Sequence, residues 1–133
     1  MSFGTATVVT NKGKAMFCDR IRTTPATYTT SPKYCGMGVG ATGAARTAAI
    51  TDTALSTEVE TRTSGTESVA TLTTTGDAYQ VVGTIAAAAS RDVDEAGLFD
   101  ASSTGNMGAS ATFTVITLAS GESIQFTWKS QLT

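Results

Sequence analysis

Val93-Asp94-Glu95-Ala96-Gly97-Leu98-Phe99-Asp100 reads as a buried strand entering a hairpin rather than as a catalytic loop. Ala96 and Leu98 recur every second residue and let one face pack on a core, with Asp92, Asp94, Glu95 and Asp100 expected at the wet ends. Two further strand-like runs follow, residues 107–118 and 123–132. In the first, Phe113, Val115 and Thr117 should share one face, and Thr112, Thr114 and Ile116 the other. Gly121-Glu122 marks a hairpin turn. Beyond it Ile124, Phe126 and Trp128 alternate with Gln125, Thr127 and Lys129, the clearest period-two pattern in the chain, which makes Trp128 a core anchor.

Upstream segments look laid around this sheet. Residues 79–89 read as a long strand with Val81, Gly83 and Ile85 on one side, and residues 68–75 and 58–63 as shorter ones. Ser64-Gly65-Thr66 and Gly76-Asp77 read as turns, and Asp52 as the cap of a short turn over residues 52–55. Asn11 stands where a helix N-cap belongs. Ala15, Met16, Phe17, Cys18 and Ile21 then leave an apolar face, predicting a short helix over residues 12–22. Residues 23–32 hold both prolines and form a loop, and residues 33–39 resume a strand. The expectation is an all-β single domain over residues 1–133. Its architecture would be an antiparallel, jelly-roll-like β-sandwich of about eight strands with one short helix near the N-terminus. Residues 1–10 are nearly uncharged and β-branched. They are a candidate partner-contact arm that adds to a neighbour's sheet edge, with Phe3, Thr5, Thr7, Val8 and Val9 as its contact residues.

Composition limits the chemistry. The chain has 133 residues, long enough to bury a core without metal or disulfide staples. Nine basic against eleven acidic residues give a net charge of −2, too weak a field to draw in a phosphate backbone, so nucleic acid is not an expected direct partner. Charged residues are only 15% of the chain and threonine fills 27 positions, a composition suited to strands that stand against other protein. Histidine is absent, which removes the commonest general base and metal ligand and argues against an enzyme. The longest apolar run, residues 81–89, is short and broken by Gly83 and Thr84, so no membrane partner is expected. Residues 1–10 lack the basic start and apolar stretch of a secretory signal. Cys18 and Cys35 are therefore expected to be free, buried thiols of a chain made in a cytoplasm.

Two patterns mimic active sites. Gly38-Val39-Gly40-Ala41-Thr42-Gly43 matches G-x-G-x-x-G, which cradles a pyrophosphate only between a parallel strand and a helix. The Thr/Ser-rich alternating segments that follow belong to antiparallel sheets, so the glycines should serve close backbone approach or a bend, and no cofactor is expected. Glu58, Glu60 and Arg62 should share one strand face, where paired carboxylates could act as acid and base or as hard-metal ligands, but such neighbours on an exposed strand are ordinary and no metal is expected.

The order of short motifs resembles one family. Val9 to Gly13 gives V-T-N-x-G before a helix, Lys33 to Gly40 a Lys-Tyr strand rich in glycine, and Asp52 to Arg62 an Asp-Thr-Ala-Leu turn feeding an acidic strand ending in Arg. Glu95 to Asp100 gives E-A-G-L-F-D, and Gly121 to Lys129 a Gly-acid turn with a Trp-Lys ending. Together these resemble small bacteriophage virion proteins, namely capsid decoration (cement) proteins and the N-terminal modules of tail fibres. The resemblance implies a homotrimer on the outer surface of the virion capsid that ties neighbouring copies of the major capsid protein together. It brings no catalytic residues. The chain lacks the shaft repeats of the fibre version, which favours the free-standing decoration protein. The alternative is a tail-fibre or baseplate component that binds a receptor, for which Tyr28, in the loop over residues 23–32, is the candidate aromatic.

Overall fold

A computed structural model describes the chain except residues 1–5, 22–23, 25–26, 42–45 and 133. The described residues form eight strands in two packed antiparallel sheets with one short helix: β1 (Ala6–Val9), α1 (Asn11–Ile21), β2 (Tyr34–Gly38), β3 (Glu58–Ser64), β4 (Thr66–Ala70), β5 (Ala78–Ala86), β6 (Arg91–Phe99), β7 (Met107–Leu118) and β8 (Ser123–Gln131). The larger sheet runs β1-β7-β6-β2-β3 and the smaller β4-β5-β8. The expected all-β sandwich with a helix near the N-terminus holds.

Between the sheets lies one apolar core. Cys35, Met37, Val93, Ala96, Leu98 and Phe113 meet Val81, Ile85, Ile124, Phe126 and Trp128 across it. β8 alternates without interruption along its nine pairs with β5, so Ile124, Phe126 and Trp128 all point inward, as their spacing predicts. β5 does likewise with Val81, Gly83 and Ile85.

The larger sheet departs from simple alternation three times, one of them where Leu98 pairs with Ala109 but Phe99 with Met107. On β7, Ile116 pairs with Val93 and Thr112 with Glu95, so two residues of β6 span the space that four occupy on β7. This bulge turns Phe113 and Ile116 to the core and leaves Val115 43% exposed, breaking the expected grouping of Phe113, Val115 and Thr117. On β3, Thr63 pairs with Cys35 and Val59 with Met37, and Glu60 takes φ 61° to accommodate the excess.

Ser64-Gly65-Thr66 is not the expected turn. It is a corner where the chain leaves β3 in one sheet and enters β4 in the other. Gly65 donates to the Lys33 carbonyl at 2.7 Å, and a Cβ there would lie 2.4 Å from Val81 Cγ1 and 3.0 Å from the Val82 carbonyl oxygen, so only glycine fits. The strand expected over residues 68–75 instead ends at Ala70, because the Asp77 carboxylate gathers the amides of Leu72, Thr73 and Thr74 into a loop. Gly121-Glu122 does turn, with Glu122 donating to the Ala119 carbonyl, but it joins β7 to β8 across the two sheets and not within a hairpin.

Helix α1 begins one residue before expectation. Thr10, not Asn11, is its cap, accepting the Gly13 amide at 3.0 Å. Of the apolar set that the spacing predicts only Met16 is buried, beside Gly13 and Asp19, and Ile21 is 74% exposed. The cause is a close approach: a Cβ on Gly13 would lie 1.9 Å from the Gly108 carbonyl oxygen, so the helix rests on β7 through glycine. Asp19 is satisfied by accepting the amides of Thr27 at 3.0 Å and Tyr28 at 2.9 Å. Arg22, the expected last helical residue, lies outside the described residues.

Candidate interaction surfaces

The outer face of the larger sheet is covered by the chain itself. Asp94 and Glu95, expected at the wet end of β6, are 2% and 0% exposed. Glu95 accepts the amides of Ser56 at 2.6 Å and Thr57 at 3.2 Å and pairs with the Arg46 guanidinium. Arg46 also meets Asp52 at 2.8 Å and the Ala54 carbonyl at 3.2 Å. Asp52 in turn accepts the Ser110 hydroxyl at 2.8 Å, and Asp94 accepts the Ala41 amide at 3.0 Å. Residues 46–57 thus form a strap held over the sheet by buried carboxylates. Burial raises the Glu95 carboxyl above its ordinary value despite the opposing pull of the Thr57 amide and Arg46.

Glu58, Glu60 and Arg62 do not share the simple face expected of them. The β3 bulge brings Arg62 back onto Glu58 through two bonds, at 2.6 and 2.9 Å, while Glu60 is carried to Arg91 at 2.9 Å. Arg62 lies 3.3 Å above the Phe99 ring and donates to the carbonyls of Ala101 and Thr104. Both carboxylates are thereby tied to arginines. A polar groove of about 300 Å³ remains between this strand and Ser102, Ser103 and Thr104.

The outer face of the smaller sheet is of another kind. In the register of its strands, Thr66, Ser68, Gln80, Val82, Thr84, Ala86, Ser123, Gln125, Thr127 and Lys129 share it. Lys129 is the one charge in that set. Gln80 donates to Ser68 at 3.2 Å and Gln125 to Thr84 at 3.4 Å, so the amides bridge neighbouring strands within the face. Glu67 sits on the opposite side of β4, near Lys33 at 3.5 Å and hydrogen-bonded by the Tyr79 hydroxyl at 2.8 Å.

The residues singled out by sequence scatter over the molecule. Of the arm, Phe3 and Thr5 lie outside the described residues. Thr7 is exposed, Val8 and Val9 are half-buried, and all three pair with β7 of their own chain, opposite Ala111, Ser110 and Ala109. Of the G-x-G-x-x-G glycines, Gly38 ends an antiparallel strand between β3 and β6, where the Glu95 side chain occupies the space its Cβ would need, 2.5 Å from Oε1, and Gly40 follows the strand with φ 88°. Side chains, not a neighbouring backbone, take up that room, and Gly43 lies outside the described residues. Tyr28 is half-buried with its amide on Asp19. Both cysteines are free, but only Cys35 is buried. Cys18 is exposed, because the helix turns its glycine side to the protein. Burial pushes the Cys35 thiol up to about 11, moderated by a hydrogen bond with Trp128. No group of three metal-ligating side chains occurs among the described residues, and no helix of theirs is long and apolar enough to cross a membrane. The sequence patterns missed the neutral outer face as a unit, since it is assembled from three strands whose neighbour relations only the register reveals.

Comparison with protein-family models, with curated proteins and with solved structures finds no match.

Proposed function

We propose that the protein is a bacteriophage capsid decoration (cement) protein, a non-enzymatic virion component that binds the outer surface of the major capsid protein shell as a homotrimer and stabilises it. The observation that carries this reading is the neutral outer face of the three-stranded sheet, with a single lysine among its Thr, Ser, Gln and Ala side chains. Such a face sheds bound water at low electrostatic penalty when it meets another protein, whereas a charged one would need a partner for each ion. Repetition on a symmetric lattice then turns a modest contact into firm attachment. The carboxylates elsewhere, committed to arginines and backbone amides, fit adhesion better than catalysis. The motif order that resembles decoration proteins points the same way.

The test is co-sedimentation of the purified protein with expanded, undecorated capsids of the phage that encodes it. Saturable binding and a higher temperature of capsid disruption are expected. Absence from capsids together with antibody labelling of the tail would overturn the reading in favour of a tail-fibre or baseplate component.

A further inference from the structure

The two sheets are unequal, and the inequality leaves a space of defined shape. Thr7 and Val9 pair with Ala111 and Ala109, which belong to the core, so they face the side on which the smaller sheet lies. Thr7 is nevertheless exposed, and Val9 lines an apolar groove of about 270 Å³ with Phe17, Ile21 and Leu132. The smaller sheet has three strands against five and ends at β8, whose last residues, Ser130 and Gln131, share this groove with Val9.

The edge of β8 that borders this space is chemically open. Leu132 donates to the Asp77 carbonyl and Ala87 to the Glu122 carbonyl, which fixes the even-numbered residues of β8 as those bonded to β5. The backbone groups of Ser123, Gln125, Thr127 and Lys129 therefore point away from the sheet and meet no backbone partner among the described residues. The other three edges differ. β1 and β4 are four and five residues long, and β3 is bulged and carries Glu58, Glu60 and Arg62. Those are the usual ways of blunting an edge, and nine-residue β8, long, without bulge or proline, keeps only a single lysine near its end.

We propose that the β8 edge, with the side of β1 that the described residues leave uncovered beside it, is an acceptor slot for one extended, acid-bearing segment of a different protein, which adds to the smaller sheet as a fourth strand. Backbone bonds to β8 supply attachment, and alternate apolar side chains of the segment enter the groove. Charge complementarity sets the acidic character: Lys129 flanks the slot, Lys14 lines the groove, and neither takes part in an ion pair among the described residues. A second copy of this chain does not fit, because its own strand would bring a second sheet roughly 10 Å below, into the place of β1.

The test uses the purified protein and a synthetic nine-residue peptide of alternating Val and Thr with Glu at both ends. Amide exchange followed by NMR should show Gln125, Thr127 and Lys129 protected at least about tenfold on peptide addition. A peptide N-methylated at alternate residues should give no protection. Thr127→Pro removes an outward N–H without breaking a bond to β5 and should weaken binding roughly tenfold. Lys129→Glu, which leaves the backbone untouched, should favour a peptide ending in Lys over the Glu form. Three results would overturn the proposal: these amides already protected in the peptide-free monomer, protection that appears only with dimerisation, or peptide binding that leaves them unprotected. No capsid enters this experiment, so its failure and the failure of the capsid reading are separable.

Discussion

The outer faces of the two sheets handle charge in opposite ways. On the larger sheet, Glu95 and Asp94 are buried and fixed by Arg46 and backbone amides, and Asp52 of the strap over residues 46–57 ties down to Ser110. On the smaller sheet the outer face is open, and Lys129 is its only ion among the residues sharing that face. A chain with few charges thus uses several of them as internal ties and leaves neutral hydroxyls and amides to face outward.

The largest test of this contrast is at β8, where one face is core and the other open. Trp128→Ala should lose about 3–5 kcal/mol of unfolding free energy, while Lys129→Ala next to it should change less than about 0.5 kcal/mol. Equal losses in denaturant titrations would mean that the outer face is not open.

The strapped face is probed at Glu95. Glu95→Ala strands the amides of Ser56 and Thr57 and takes one of its two carboxylate partners from Arg46, and a loss of about 2–3 kcal/mol is expected, whereas Glu95→Gln, which can still accept both amides, should lose much less. Because the folded carboxyl is raised, its contribution to stability is greatest below the unfolded value, about 4.3, and fades as pH rises through the folded one. Glu95→Gln should abolish that part of the pH profile.

Asp77 carries the opposite sign. Its carboxylate is held well below the ordinary range by the Leu72 and Thr74 amides first of all, so its contribution is present above about 3.9 and disappears as pH falls towards the folded value. The difference in melting temperature between wild type and Asp77→Ala should therefore shrink on acidification. Curves that stay parallel would remove the loop from the account. The smallest effect is chemical: a thiol reagent should modify Cys18 in the native protein and reach Cys35 only after denaturation.

What could be read in advance follows the same contrast. β5 and β8 have one dry and one wet side, so Val81, Ile85, Ile124, Phe126 and Trp128 announce themselves by alternation. β6 is covered on both sides, and the alternation that would place Glu95 is lost once the strap buries the second face. Carboxylates in such a strand look like strand ends, because nothing nearby in sequence reveals an arginine forty-nine residues away. The bulges on β3 and β7 were equally hidden. Their extra residues, such as Glu60 and Val115, are individually compatible with a straight strand. The helix was found but its orientation was not, since a glycine contact with Gly108 outweighed the apolar stripe.

The corner at Gly65 has a kinetic consequence. The chain visits the larger sheet with β1 to β3, the smaller with β4 and β5, the larger again with β6 and β7, and the smaller once more with β8. Val9 must find Ala109 across most of the polypeptide, and Cys35 must find Leu98 across nearly half of it. A nascent chain leaving the ribosome therefore has no half that can settle early. Closing such long loops before any contact rewards them places the protein among slow, milliseconds-to-seconds folders, with the last nine-residue strand sealing both layers at once.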